Sequence, residues 1–319
     1  MPDVNYNKFL NDKRLIKVYR GINLDRIRKE LNISLLDDIP RQIFDKIFMV
    51  GNKANYYIGN KVIELIYNQY GERHRGQEIY SSIEQADRGV FKNIFNTLSE
   101  IIIENPFKHN IITPGFLTRN KNLTENLSKW NTSEKYQDHC LDSITKLGCE
   151  KILIRDYYLS LLHQLEYKSY HRKSALISTS SNRDVAISFM GNKASILIEY
   201  IIPVDKVHTF SIPYSIYQNE YLNKIMEELS LPLITEPPYP NEQEYCIKRA
   251  LFPHFILSLS FYDDFNIPRG KLYNPQIDTD VEHVIRYGFP INQDNFFTTL
   301  SQTNYVASGL FKNGFFYEN

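Results

Sequence analysis

The spacing of apolar residues changes character twice along the chain. Near the start, LIKVY (15–19) reads as a short strand ending at Arg20-Gly21. From about residue 23 to 170 the pattern is mostly helical. Asp-Asp-Ile-Pro opens a helix that places Ile43, Ile47 and Phe48 on one face, and the stretches 54–71, 81–105 and 153–170 continue at three- and four-residue spacing. Between them, 109–136 is polar and turn-rich, and reads as a loop with short helices. At residue 175 the texture shifts again. ALISTS is strand-like, NRDVAISFMG a short helix closed by Gly191, and ASILIEYIIP a buried β-branched strand. PYSIYQNEYLNKIMEELSL is helical, and LPLITEPPYPNEQEY is a proline-rich loop leading into the strands YCIKRALF and FILSLSFY. A last helix, DTDVEHVIRYG, precedes an aromatic tail. The division expected is a first strand in 1–22, a helical insertion in 23–170, a main core in 171–275 and a C-terminal helix and tail in 276–319.

Composition changes this picture little. With 42% hydrophobic and 23% charged residues the chain is an ordinary globular one. Lys+Arg and Asp+Glu both total 37, so net charge does not point to nucleic acid, a membrane surface or an acidic partner. The three cysteines, Cys140, Cys149 and Cys246, form no CxxC pair, and no Cys/His cluster has zinc spacing. No metal is expected, and free thiols in a reducing cytosol fit better than a disulfide framework. No apolar run has signal-peptide length and none reaches a membrane span. The expectation is a cytosolic protein with no membrane partner. Export by a bacterium without a cleaved signal, into a host or target cell, is compatible with the same pattern.

Three short motifs carry candidate chemistry. The first is Tyr19-Arg20-Gly21 at the strand end: a guanidinium offers bidentate hydrogen bonds, and glycine admits close approach to the backbone. An exposed structural arginine explains the same residues, and Arg75-Gly76 is a rival pair in a polar helical context. The second is Ser178-Thr179-Ser180, whose hydroxyls can hold a ligand or cap the following helix. The third is Glu242-Gln243-Glu244. In an extended segment residues two apart point the same way, so both carboxylates share a face, either around a cation or as a solvated surface pair.

Taken in order, Tyr19 to Gly21, the block from Leu176 to Pro203, and Tyr239 to Glu244 resemble the R-S-E class of mono-ADP-ribosyltransferases, the arginine-modifying toxin and effector branch. The resemblance covers about a third of the chain and is most specific in the Ser-Thr-Ser block. The long interval from Arg20 to Ser178 departs from compact members of that class and fits an inserted helical lobe. The first motif and the insertion also resemble FRG-type domains, whose later signature is not found. The ADP-ribosyltransferase resemblance implies an α+β fold with a split β-sandwich core and a large inserted helical lobe. It implies NAD as co-substrate, with Arg20 on its phosphates or adjacent ribose, the Gly21 backbone on the nicotinamide amide, and Ser178 orienting the catalytic glutamate. Thr179 and Ser180 would hold the strand geometry, and Glu244 would bind the ribose 2′-hydroxyl and stabilise the oxocarbenium-like transition state. Glu242 would steer an arginine acceptor on a target protein, Tyr239 would pack on that target, and Phe189 would line the nicotinamide pocket or sit in the core. Transfer to a nucleic acid or small molecule, NAD hydrolysis, and a catalytically inactive binding module of the same fold stay open. Neutral net charge weighs against a general nucleic-acid binder.

Overall fold

The structure is a computed structural model that describes residues 11–25, 86–106, 111–165, 176–248, 256–273, 310–312 and 315–317. The expected helices at 37–51, 54–71 and 278–288, and the rival Arg75-Gly76, lie outside the described residues. What is described is a mixed α+β architecture: helices packed on an antiparallel sheet. No helix among the described residues is long and apolar enough to cross a membrane.

The first strand, β1 (Leu15–Asn23), runs further than its apolar pattern indicates. The backbone from Arg20 to Asn23 continues in register with Ile198 to Ser195, so Arg20 and Gly21 lie inside the strand and not at its end. Helix α1 (Arg88–Ser99) starts at Asp87, whose carboxylate accepts from Val90 N at 2.9 Å. Its last turn widens into a π-helical segment at Glu100–Glu104.

Within the stretch read as a loop with short helices, the described residues 111–136 are more helical than that reading: they hold α2 (Pro114–Arg119), α3 (Lys121–Thr132) and the start of α4 (Glu134–Thr145). Thr113 and Ser133 cap α2 and α4 through their hydroxyls. Leu123, Asn126, Leu127 and Trp130 form a narrow buried stripe on α3, which the many Asn, Lys and Thr residues around it conceal.

Helix α5 (Glu150–Leu165) has buried residues on every side from Ile154 to Leu162 and forms the spine of the lobe. Phe95 of α1 is wedged between Trp130 and Tyr158, each with ring centroids 4.9 Å away.

The second half of the sheet follows the expected order: β2 (Leu176–Ser180), the short helix α6 (Arg183–Ser188), then β3 (Ser195–Pro203), every residue of which is buried. Helix α7 (Val207–Phe210) leads into β4 (Ser211–Pro213), a strand the sequence reading did not separate from its surroundings. Helix α8 (Glu220–Glu228), β5 (Glu244–Lys248), β6 (Ile256–Tyr262) and β7 (Pro268–Tyr273) complete the core. A separate ladder joins β8 (Leu310–Lys312) to β9 (Phe315–Tyr317).

The main sheet has seven strands in the order β4-β5-β2-β1-β3-β6-β7, with β1 at its centre. The two halves are joined unequally. β1 pairs with β3 along nine residues, but with β2 only at Tyr19↔Ser180. The core expected as two split sheets is thus one hydrogen-bonded sheet that opens beside a single pair. The first two of the three motifs lie on the strands flanking that opening, and the third lies on the next strand, β5, and the turn before it.

Candidate active site

Glu244 begins β5, directly opposite Ser180 in the ladder with β2, and only 7% of its surface is exposed. An ionised carboxylate buried to that degree needs donors. Two come from the end of α5. His163 Nε2 lies 3.5 Å from Oε1, and Gln164 Nε2 donates to Oε2 at 3.0 Å. Burial on its own would push this carboxyl up. The hydrogen bond and charge of His163, with hydrogen bonds from Gln164 and Ser178, outweigh it and hold Glu244 down at about 2. Oε1 of Gln164 is buried and has no partner among the described residues.

Ser178 links the other members. Its hydroxyl is 2.7 Å from His163 Nε2, and its carbonyl accepts from Arg20 Nη1 at 2.6 Å, across 158 positions of sequence. Arg20, Ser178 and Glu244 therefore meet at the opening of the sheet. Tyr200 lies beside the arginine, and its pKa is raised by burial against a smaller lowering from the Arg20 charge. Its hydroxyl has no hydrogen-bond partner among the described residues.

The other two hydroxyls of the motif brace the strand pair. Thr179 Oγ1 donates to Tyr245 O at 2.5 Å, and Ser180 Oγ donates to Glu242 O at 2.6 Å while accepting from Asn182 N at 2.9 Å. The cap of α6 is Asn182, so helix capping does not account for the serines.

Gly21 has a packing reason. A Cβ built there would stand 2.1 Å from Ala186 O and 2.5 Å from Met190 Cγ, so its side-chain space belongs to α6. Phe189, at the end of α6, is 62% exposed, which removes the plain core reading for it.

The two glutamates are not in one extended run. A 3-10 turn spans Pro240–Glu242, bracketed by Tyr239 (φ 51) and Gln243 (φ 46) in left-handed backbone. Ser181 N donates to Gln243 O at 3.2 Å and ties that turn to the end of β2. The carboxyls remain within electrostatic reach. Burial first, then the Glu244 charge, pushes Glu242 up to about 7.

The loop carrying Tyr239 is anchored upstream by the helical lobe. Asn120 Oδ1 accepts from Thr235 N and Glu236 N at 2.8 and 2.9 Å, and Tyr158 Oη donates to Pro232 O at 2.7 Å. Tyr239 itself is 38% exposed.

Sequence reasoning missed His163 and Gln164. The available signal was a polar pair near the end of a helix whose surroundings are apolar all round, because a polar group inside such a helix must find a partner.

The hydroxyl, imidazole and carboxylate do not make a hydrolytic triad. Such a relay needs the serine on one imidazole nitrogen and the acid on the other, whereas here both approach Nε2. What the arrangement offers is a fixed anion, a half-buried guanidinium joined to it through Ser178 and His163, and a second carboxyl poised near neutrality. No protein-family model, no curated protein and no solved structure matches the chain.

Proposed function

We propose that the chain is an NAD-dependent mono-ADP-ribosyltransferase that modifies arginine on a target protein. The observation that carries this reading is the convergence of Arg20, Ser178 and Glu244, through contacts of 2.6, 2.7 and 3.5 Å that include His163, at the opening of the sheet. In this role Arg20 holds the NAD phosphates or adjacent ribose, and the Gly21 backbone meets the nicotinamide amide. The bond from nicotinamide to ribose breaks with its electron pair leaving on nicotinamide, and positive charge develops on the sugar. A carboxylate held ionised in a buried site is suited to that charge, because its orientation is set before the reaction begins.

Glu244 then interacts most strongly with the transition state, while Ser178, His163 and Gln164 fix its direction. Glu242 has a carboxyl near neutrality, so it can accept the proton that an attacking guanidinium releases. Tyr239, exposed on its loop, is the surface that packs on the acceptor, and Phe189, exposed at the end of α6, serves the nicotinamide pocket. Transfer of the bacterial effector or toxin kind is the biological setting this reading carries with it, and it needs no metal.

The test is incubation with labelled NAD and a cell lysate, followed by mass spectrometry of the labelled species and assay of free nicotinamide. Labelled protein from the wild type and none from Glu244→Gln supports the reading. Nicotinamide release without any labelled macromolecule replaces it with NAD hydrolysis. Neither activity, from a folded protein that binds NAD, leaves the inactive binding module.

A further inference from the structure

The Arg20–Ser178–Glu244 constellation shares Glu244 with a second donor set, which also contains a thiol that the transfer chemistry leaves unused. His163, Glu244 and Cys246 are all buried, and each offers one ligand atom within 4.8 Å of the others. The carboxylate and the thiol stand two residues apart on β5, facing the imidazole from α5.

Around a tetrahedral zinc ion, ligand atoms bound at roughly 2.0–2.3 Å sit about 3.5 Å from one another. His163 Nε2 and Glu244 Oε1 are already 3.5 Å apart. The Cys246 sulfur lies within 4.8 Å of both, so it has to move inward to complete the tetrahedral set. One imidazole, one carboxylate and one thiolate suit zinc, and their two negative charges match a divalent cation. The fourth position can take water. Oε1 of Gln164, an acceptor with no partner among the described residues, sits on the amide that contacts Glu244.

We propose that His163, Glu244 and Cys246 form a zinc-binding site, and that zinc bound there shuts the transferase off. The inhibitory half rests on the proposed function, since it follows from the metal occupying the carboxylate that the transfer step uses. On binding, Cys246 loses its thiol proton to water and coordinates as thiolate. His163 binds through its Nε2 lone pair, with its proton on Nδ1, and its contact with the Ser178 hydroxyl is given up. Nothing is oxidised or reduced. The absence of local zinc spacing in the sequence is no obstacle, because the ligands come from a helix and a strand that are far apart in the chain.

The experiment titrates Co2+, then competing Zn2+, into the full chain without NAD. The exposed Cys149 is replaced by serine to remove its background. A thiolate-to-cobalt charge-transfer band with tetrahedral ligand-field absorption, displaced by one equivalent of Zn2+, is expected. Cys246→Ser should abolish the band and weaken binding about a hundred-fold, with Cys246→Ala as the second variant if serine perturbs folding on thermal melting. His163→Gln should weaken binding comparably. In parallel, micromolar Zn2+ should stop nicotinamide release by the wild type and not by Cys246→Ser, and a chelator should restore the wild type. No band, or a band that survives both Cys246 variants, overturns the site. A band without any transfer or nicotinamide release overturns the proposed function and leaves the metal site standing. Full activity in the zinc-bound protein overturns the inhibition.

Discussion

Helix α5 meets strand β5 twice, and the two meetings handle buried charge in opposite ways. At one end, Asp156 lies between Arg155, at 2.6 Å, and Lys248, at 2.6 Å, with all three residues almost fully buried. Burial on its own would raise the Asp156 carboxyl, but the two cations outweigh it and hold the group below its ordinary range. Two helical turns further on, Glu244 is buried to a similar degree, yet its nearest partners are an imidazole and a carboxamide. The first cluster has its counter-charges built in and is inward-facing. The second holds a carboxylate by directed hydrogen bonds, next to a half-buried serine and a half-buried glutamate that an outside molecule can meet. One helix–strand interface thus contains a structural ion cluster and a candidate reaction site, separated by the nature of the donors.

The largest expected effect falls on the first cluster. Asp156→Asn leaves Arg155 and Lys248 buried without their anion and should cost about 3–5 kcal/mol of stability, read from urea unfolding. Because the folded-state pKa of Asp156 lies below its ordinary 3.8, the contribution of this carboxylate is complete near neutral pH. It should drain away as pH falls through about 4 and below, and the variant should show a flatter stability curve over that range. An unchanged unfolding midpoint would erase the distinction between the two ends.

At the second cluster the same kind of substitution should act on turnover as well as on stability. Glu244→Gln keeps the shape of the side chain and removes its charge. Nicotinamide release per folded molecule should fall about 10²–10³-fold, worth about 3–4 kcal/mol of transition-state stabilisation, with NAD affinity little altered and some stability lost, because the carboxylate held at about 2 also favours the fold. A variant that unfolds but turns over normally when folded would make Glu244 a second structural charge.

Gly21→Ala tests whether that glycine serves α6 packing or the ligand. The collision with Ala186 O is with backbone, so a loss of about 1–3 kcal/mol in stability is expected. Lost NAD binding at unchanged stability would favour the ligand role. The smallest effects on stability, within about 0.5 kcal/mol, belong to Phe189→Ala and Tyr239→Ala on the surface. Tyr239→Ala should raise the KM for the acceptor protein and leave nicotinamide release intact, whereas Phe189→Ala should slow nicotinamide release, measured on one preparation.

Much of this geometry was legible, and the gaps have physical causes. The run from Leu176 to Pro203 announces strand, turn, short helix and strand, because alternating β-branched residues, Asn182 and Gly191 each constrain their own neighbourhood. The three motifs could be ordered along the chain because each combines a distinctive side chain with a turn. His163 could not be assigned to them, since a helix side chain acquires its role only from what packs opposite it. Gln243 in left-handed backbone carries no local signal either; its conformation is held by Ser181, which is distant in sequence. The length of the helices over 111–136 was missed through averaging: the buried stripe of α3 is narrow, and a polar majority masks it.

The position of β1 bears on how the molecule is made. The strand at the centre of the sheet is synthesised before every strand it pairs with, yet Leu15 pairs with Pro203. Arg20 must wait for a partner 158 residues downstream. Contacts that distant in sequence slow folding, because a long loop has to close before any of them forms. During synthesis the N-terminal segment therefore has nowhere to dock, and the site stays unassembled until β5 has emerged. A nascent or prematurely terminated chain carries the arginine without the glutamate. Under the proposed function, the order of translation alone keeps incomplete copies from consuming NAD.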